Sequence, residues 1–252
     1  GAGVTVKTNS VAANSSTAIA SSINGTLINQ GTLSSETAGR TFSVLTNAVT
    51  NTGTFQAVNG GTFTVGTNAT NLSNLAANTL TGGTWKVGAG STMNFGTATF
   101  ANNAATIELD GVGSTFAAVN PLANNSGSFT IKNGRDFTTI GALANSGILE
   151  VGPSSTFTAN GALTNDGQLQ MGGGTAHANT TLTNNAAGQI SGFGTVSNTV
   201  LNHGLVRASG GNLNITGGID GQSGAIQTDS GATLTLGADS DGDFLINNGT
   251  LD

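Results

Sequence analysis

The chain has 252 residues, of which 7% are charged and 40 are glycine. Because an ordinary globular domain carries roughly 25% charged residues, most of the surface must consist of uncharged polar side chains. The net charge of −6 argues against nucleic acid as a partner. The lack of cysteine excludes disulfides and thiolate metal sites. The sequence contains no run of about 18 apolar residues, so it predicts no membrane span.

Residues 1–22 form a separate N-terminal segment. We expect it to supply either the first coil of the fold predicted below or a strand that pairs with another subunit. The segment begins without Met and has no apolar signal-peptide core, so the chain is expected to be a mature or excised piece.

A short unit, L-x-N-x-G-x-L, recurs from residue 23 to residue 252. Clear copies occupy 27–33, 49–55, 143–149, 163–169, 200–206 and 245–251. The residue two positions after each motif glycine is apolar and its neighbours are mostly polar, which is typical of a half-buried strand. With Ile107 from a degenerate copy, this first ladder comprises Leu33, Phe55, Trp85, Ile107, Phe129, Leu149, Leu169, Ile190, Val206, Ile226 and Leu251.

A second recurring position predicts a second strand in each repeat, and a third strand is expected at the L-x-N segment. The second ladder comprises Phe63, Met93, Phe116, Phe137, Phe157, His177, Val196, Leu213 and Leu234. Glycine and asparagine separate the strands, and both tolerate the left-handed backbone that tight corners need.

The same residue type recurs at the same position of each repeat. This recurrence favours a parallel β-helix over a sandwich, because stacked coils align equivalent residues in ladders. The sequence predicts an all-β fold, a single right-handed parallel β-helix (β-solenoid) of about 12 coils of roughly 20 residues. Asparagines two positions before the motif glycine are expected at corners, hydrogen-bonded from coil to coil. They are Asn29, Asn51, Asn125, Asn145, Asn165, Asn202 and Asn247.

These units, with the G-x-T-F and G-x-L strands between them, resemble the repeats of bacterial secreted β-helix adhesins, meaning autotransporter passengers and filamentous-haemagglutinin-like exoproteins. The resemblance covers residues 23 to 252. It implies a protein exported through an outer membrane to the cell surface or the extracellular space of a bacterium, and used for reach, adhesion or self-association. No catalytic residue is implied by it.

Enzymes also use the β-helix fold, with carboxylates on neighbouring coils about 5 to 9.5 Å apart. The outward-facing candidates are Glu108, Glu150 and Asp252. Glu108 and Glu150 are expected two coils apart with Thr130 between them, which disfavours a catalytic pair. We therefore expect no enzyme, and a carbohydrate-active β-helix that binds or degrades polysaccharide is the alternative.

Asp239, Asp241 and Asp243 resemble the start of a calcium loop. Position twelve counted from Asp239 is Thr250 rather than Glu, so a solvated acidic loop is the competing interpretation.

Three large side chains have both structural and functional interpretations. His177 is expected to replace an aromatic core residue, His203 to lie in a corner, and Trp85 to lie in the core rather than form a carbohydrate platform. Neither histidine has a second ligand at metal spacing, so no metal and no cofactor are expected.

Ice-binding solenoids present ranks of T-x-T, and three pairs flank the second ladder. They are Thr62/Thr64, Thr156/Thr158 and Thr233/Thr235. Since only three of nine coils comply, ice binding is the least favoured alternative.

Residues 66–79 form an insertion that is expected to leave the coil as a loop, with Leu72 and Leu75 exposed or folded back. A decorative bulge is the favoured interpretation, and a surface for a partner is the alternative. The chain stops within a motif and without a polar cap. The expected partners are therefore further copies joined end to end, with Val4–Val6 completing a coil of the next subunit, or a longer parent array, together with host or surface glycans.

The function predicted is a non-catalytic extracellular structural or adhesive scaffold. It would be an extended rod used for surface adhesion, aggregation or end-to-end filament formation.

Overall fold

A computed structural model describes residues 3–8, 16–20, 25–66, 68–220 and 223–237, and the backbone of 250–251. The fold is all-β, and its strands stack in parallel as a β-solenoid, which confirms the predicted fold class. The chain divides into two compact units, residues 1–122 and 123–252. The predicted boundary after residue 22 falls inside the first unit. The predicted right hand of the coil stays a prediction.

The first unit contains twelve strands among its described residues. They are β1 (Thr5–Lys7), β2 (Thr17–Ala20), β3 (Thr26–Asn29), β4 (Thr32–Ser35), β5 (Thr41–Leu45), β6 (Ala48–Asn51), β7 (Thr54–Ala57), β8 (Thr62–Val65), β9 (Leu75–Ala76), β10 (Thr79–Val87), β11 (Thr92–Asn94) and β12 (Asn102–Asp110), followed by a 3₁₀ turn at Ala117–Val119. A coil holds three short strands, as β3, β4 and β5 illustrate, so the predicted third strand at L-x-N is confirmed.

The first ladder of this unit has the predicted register. Leu33 pairs with Phe55, Phe55 with Trp85, and Trp85 with Ile107, and all four are buried. Val6 precedes them opposite Leu33. Strand β1 therefore pairs within its own chain, in agreement with the first of the two expectations for residues 1–22. Pairing of this segment with a next subunit stays a prediction.

Aromatic rings fill the core of the first unit. Ring centroids are 5.2 Å apart for Phe55 and Trp85, 5.4 Å for Trp85 and Phe95, and 5.0 Å for Phe95 and Phe116. All three pairs meet edge to face, which is the favourable arrangement for aromatic quadrupoles. The Trp85 indole nitrogen donates to the Gly82 carbonyl at 3.0 Å, so this buried polar group is satisfied.

The insertion differs in part from the prediction, which allowed Leu72 either to be exposed or to fold back. Leu72 is buried and bridges to Val49 in parallel, so it belongs to the coil. The extra residues instead form an antiparallel hairpin in which β9 pairs with the start of β10. Ala77 and Asn78 turn this hairpin with φ of 47° and 62°, the left-handed pair that a tight two-residue turn requires.

The second unit contains sixteen strands among its described residues. They are β13 (Asn124–Asn125), β14 (Ser128–Lys132), β15 (Phe137–Thr138), β16 (Leu143–Asn145), β17 (Ile148–Val151), β18 (Thr156–Ala159), β19 (Leu163–Asn165), β20 (Gln168–Ala178), β21 (Leu182–Asn184), β22 (Gln189–Val196), β23 (Val200–Asn202), β24 (Leu205–Ile215), β25 (Ile219–Asp220), β26 (Ala225–Thr228), β27 (Thr233–Leu236) and β28 (Thr250–Leu251).

The first ladder of the second unit also has the predicted register over six coils. It runs through Phe129, Leu149, Leu169, Ile190, Val206 and Ile226, all buried. Leu251 is the exception to the prediction, because its backbone pairs with Leu234 of a second strand rather than with Ile226.

The second ladder differs from the prediction at two places. Ala176, not His177, pairs with Phe157, and Ala176 is buried. Val196 pairs with Ile215 rather than with Leu213. The first slip arises because Phe157 follows Leu149 by eight positions but Ala176 follows Leu169 by seven. The second follows the register shift between Gly192 and Gly194.

Several motif glycines are needed for space rather than for a left-handed backbone, although Gly83 has a φ of 66°. Gly53, Gly147 and Gly167 are not among the residues with positive φ. A Cβ atom on Gly147 would lie 2.0 Å from the Gly127 carbonyl oxygen, and one on Gly167 would lie 2.2 Å from the Gly147 oxygen. Successive coils approach so closely at this corner that no side chain fits.

We predict that Leu169→Asp destabilises the second unit by more than about 4 kcal/mol, because it buries an unpaired charge in the first ladder. Thermal unfolding followed by circular dichroism measures the effect. Gln168→Asp is the matched control, since Gln168 is exposed on the same strand. Equal melting temperatures for the two variants would contradict the register.

Gly167→Ala is expected to cost about 2 kcal/mol or more, since the added methyl overlaps the Gly147 carbonyl. Gly141→Ala serves as control because a Cβ there meets nothing within 4 Å. Denaturant unfolding of both variants provides the comparison, and a Gly167→Ala midpoint equal to that of Gly141→Ala would refute the close approach.

Candidate functional site on the outer faces of the coils

The corner asparagines form hydrogen-bonded columns inside the coils, as predicted. In the first unit the Asn29 amide donates to Asn51 Oδ1 at 2.8 Å. In the second unit the chain of donations runs from Asn125 to Asn145, Asn165, Asn184 and Asn202, at 2.7 to 2.8 Å. Asn247 lies outside the described residues.

Asn184 was not predicted, because it stands four rather than two positions before its glycine. The L-x-N signal at Leu182-Thr183-Asn184 would have identified it. Asn165 and Asn184 are each 0% exposed, so no ligand reaches them. The columns satisfy buried polar groups and hold the corners together, which is a structural role.

The outward residue after each first-ladder position forms a rank along the coils. In the first unit this rank places Lys86 beside Glu108, with Nζ 3.6 Å from Oε2. In the second unit Thr130 Oγ1 donates to Glu150 Oε2 at 3.1 Å. Each carboxylate is thus engaged by a neighbouring coil.

The expected carboxylate candidates are not gathered in one place. Glu108 belongs to the first unit, Glu150 belongs to the second, and Asp252 lies outside the described residues. On the neighbouring coils Glu150 is paired with Thr130 and Gln170, so no second carboxylate occupies the adjacent places in its rank.

Arg207 lies in the same rank opposite Gln227, and it forms an ion pair with Asp229 of that next coil. Arg207 Nε and Nη2 donate to the two Asp229 carboxylate oxygens, each at 2.9 Å. These hydrogen bonds and the opposite charge raise the pKa of the Arg207 guanidinium.

At Arg135, burial lowers the pKa of the guanidinium, and the negative charge of Asp136 partly offsets this lowering.

Both histidines lie on the outside. His177 Nδ1 is 3.0 Å from Ser197 Oγ, and His203 Nδ1 is 3.2 Å from Ser223 Oγ. The expected core position of His177 is wrong, since the shortened corner gives that position to Ala176. Among the described residues no three His, Asp or Glu side chains are placed to hold a metal ion.

The remaining predicted candidates are the carbohydrate platform at Trp85 and the calcium loop. Trp85 is 0% exposed, so it is a core residue and not a sugar platform. Asp239, Asp241 and Asp243 lie outside the described residues, and calcium binding there stays a prediction.

The threonine ranks remain broken in the observed register. Thr62 and Thr64 align with Thr92 and Asn94 on the next coil. In the second unit Thr158 aligns with His177. The repeated T-x-T surface of an ice-binding face therefore does not extend from either pair.

Phe193 is an exposed aromatic residue that the repeat analysis missed. It is 40% exposed at the shift in β22. A Cβ atom on Gly173 or Gly211 would lie 3.1 Å from its side chain, so glycines of the two neighbouring coils make room for the ring. The local signal was the unusual glycine density around it.

Comparisons with protein-family models, with curated proteins and with solved structures found no match. In the part of the chain that the structure describes, no helix has the length and apolar character of a membrane span.

Asn165→Ala is predicted to cost about 3 kcal/mol, because the buried Asn145 amide loses one of its acceptors and the buried Asn184 Oδ1 loses the donor from Asn165. Asn185→Ala is the matched control, since the Asn185 side chain donates outside the column, to Asp166 Oδ1, and the substitution keeps its backbone N–H. Hydrogen exchange of the amides in β19 and β21 should accelerate in Asn165→Ala alone, and unchanged protection would show that the column contributes little.

Proposed function

We propose that this chain is a non-catalytic structural and adhesive scaffold, displayed on the surface of a bacterium or released into its surroundings. The observation that carries the proposal is the distribution of side chains in the solenoid. Leucine, phenylalanine and asparagine columns occupy the inside, while the outer ranks consist mainly of threonine, serine and glutamine. Such a surface offers many neutral hydrogen-bonding groups, and the L-x-N-x-G-x-L resemblance to secreted adhesins supports the same function.

The alternative of a polysaccharide-degrading enzyme has less support. Glycoside hydrolysis needs two carboxyl groups about 5 to 9.5 Å apart. Glu108 is instead engaged by Lys86, and Glu150 by Thr130. Polysaccharide binding without cleavage remains compatible with an adhesive scaffold.

Self-association belongs to the same proposal. Parallel coils leave unpaired backbone groups at any free edge, which favours pairing with a further coil. We therefore propose that the chain joins end to end with other copies or with a longer parent array. The predicted extended form belongs to the same proposal.

Surface display provides the test. The chain, fused to an outer-membrane anchor and an epitope tag, is expressed on a non-adherent bacterium, and settling of cells and attachment to coated surfaces are measured. We expect at least a several-fold gain over cells carrying the anchor alone. Leu169→Asp, compared at equal surface amounts of tag, should lose this gain because it disrupts the first ladder.

Two outcomes would contradict the proposal. One is the absence of any gain in settling or attachment at equal surface amounts. The other is release of reducing ends from polysaccharides by the purified chain, abolished in Glu150→Gln or Glu108→Gln, which would favour the enzyme.

A further inference from the structure

Three successive corners of the second unit line an open groove of about 500 Å³. The corners join a second strand to a third strand, at residues 179–181, 197–199 and 216–218. This volume lies within the range of about 300 to 1,000 Å³ that is typical of small-ligand sites. All of the lining residues belong to the second unit.

The frame of the groove is held by side-chain hydrogen bonds to backbone. Asn198 Nδ2 donates to the Ala178 carbonyl, and Asn198 Oδ1 accepts from the Ala178 N–H, both at 2.7 Å. Thr199 Oγ1 donates to the Gly217 carbonyl at 2.9 Å. A Cβ atom on Gly217 would lie 2.1 Å from the Thr199 nitrogen, so glycine permits this close contact. The groove is therefore preorganised.

A second set of lining groups is left for a ligand. Thr180, Thr181, Thr216 and Asp220 are exposed. Their side chains make no hydrogen bond to any of the described residues. Three hydroxyl groups can each donate and accept, and a carboxylate can accept from two hydroxyl groups at once.

An apolar side chain lies among these polar groups. Leu201 is 38% exposed, on strand β23, and its register partners on the adjacent coils are Thr183 and Asp220. A patch of hydrocarbon bordered by hydroxyl groups and a carboxylate matches the C–H face and the hydroxyl edge of a sugar ring.

We propose that this groove binds a neutral oligosaccharide. The lining includes a carboxylate and no Lys or Arg, which disfavours phosphate, sulfate and sialic or uronic acids by repulsion from Asp220. A single carboxylate does not provide the ligand set of a metal site. The inference rests on the proposed function, since glycan binding is one way for an adhesive scaffold to attach.

The test uses the purified full chain and a printed array of defined oligosaccharides. Neutral hexose and N-acetylhexosamine oligomers of host type, neutral fragments of bacterial polysaccharides, and sialylated and uronic-acid counterparts are compared. We expect binding to neutral members and at least tenfold weaker binding to acidic ones. The two neutral sets distinguish a host glycan from a bacterial polysaccharide as the source.

Groove variants then locate the site by calorimetric titration with the strongest neutral oligosaccharide. Thr181→Val, Thr216→Val and Asp220→Asn each preserve shape and remove a hydrogen-bonding group or a charge. Each should weaken binding about tenfold or more without lowering the melting temperature. Thr164→Val is the matched control, because Thr164 faces outward on β19 outside the groove, and it should bind like the unmodified chain.

The proposal is overturned if no neutral oligosaccharide binds, if acidic ones bind better, or if the groove variants bind as tightly as Thr164→Val. These results are separable from those of the display experiment. Settling or attachment of cells without binding on the array would support the scaffold function and contradict the groove as a glycan site. Binding on the array without settling or attachment would support the groove and contradict the scaffold function.

Discussion

Parallel stacking of coils at about 4.8 Å is the constraint on which the rest of this structure depends. Each residue lies directly beside its equivalent on the next coil, so a column is stable only if its side chain tolerates a copy of itself as neighbour. Leucine and phenylalanine do so by packing, and asparagine by donating its amide to the next amide, as Asn145 does to Asn165 at 2.8 Å. A column of like charges would repel itself, which gives a physical reason why only 7% of the chain is charged.

The same constraint explains which parts of the fold could be predicted from sequence. Each first-ladder residue stands two positions after the motif glycine. The motif therefore determines the register of this ladder as far as Ile226. The second ladder lies beyond a corner of variable length. Phe157 follows Leu149 by eight positions, but Ala176 follows Leu169 by seven and Val196 follows Ile190 by six. Repeat spacing alone cannot detect this difference, and His177 was therefore placed in the core.

The sequence predicts glycine and asparagine at the corner, but the structure requires these residues there for partly different reasons. A left-handed backbone was expected, whereas Gly147 is required by a carbonyl oxygen that a Cβ would approach to 2.0 Å. Contact between coils is a tertiary property, and local turn preferences do not report it. The hydrogen bonds between asparagines were predicted correctly, because coil stacking brings identical amides within reach of each other. Each amide also donates to a backbone carbonyl, as Asn145 does to Gln168.

The variable corners also connect the fold to its proposed function. Ladders and asparagine columns hold the coils together on the inside, and the outer corners add hydrogen bonds such as those of Asn198 to Ala178. Because the inner columns do not depend on the corners, the corners differ in length and composition. The groove arises in this way, from threonine, asparagine and glycine residues that are unremarkable in sequence and become neighbours only through the coil register. Its residues are about 20 positions apart along the chain, so no local motif signals them. In a solenoid of this kind, we expect recognition to evolve at such corners, since a change there costs no ladder contact.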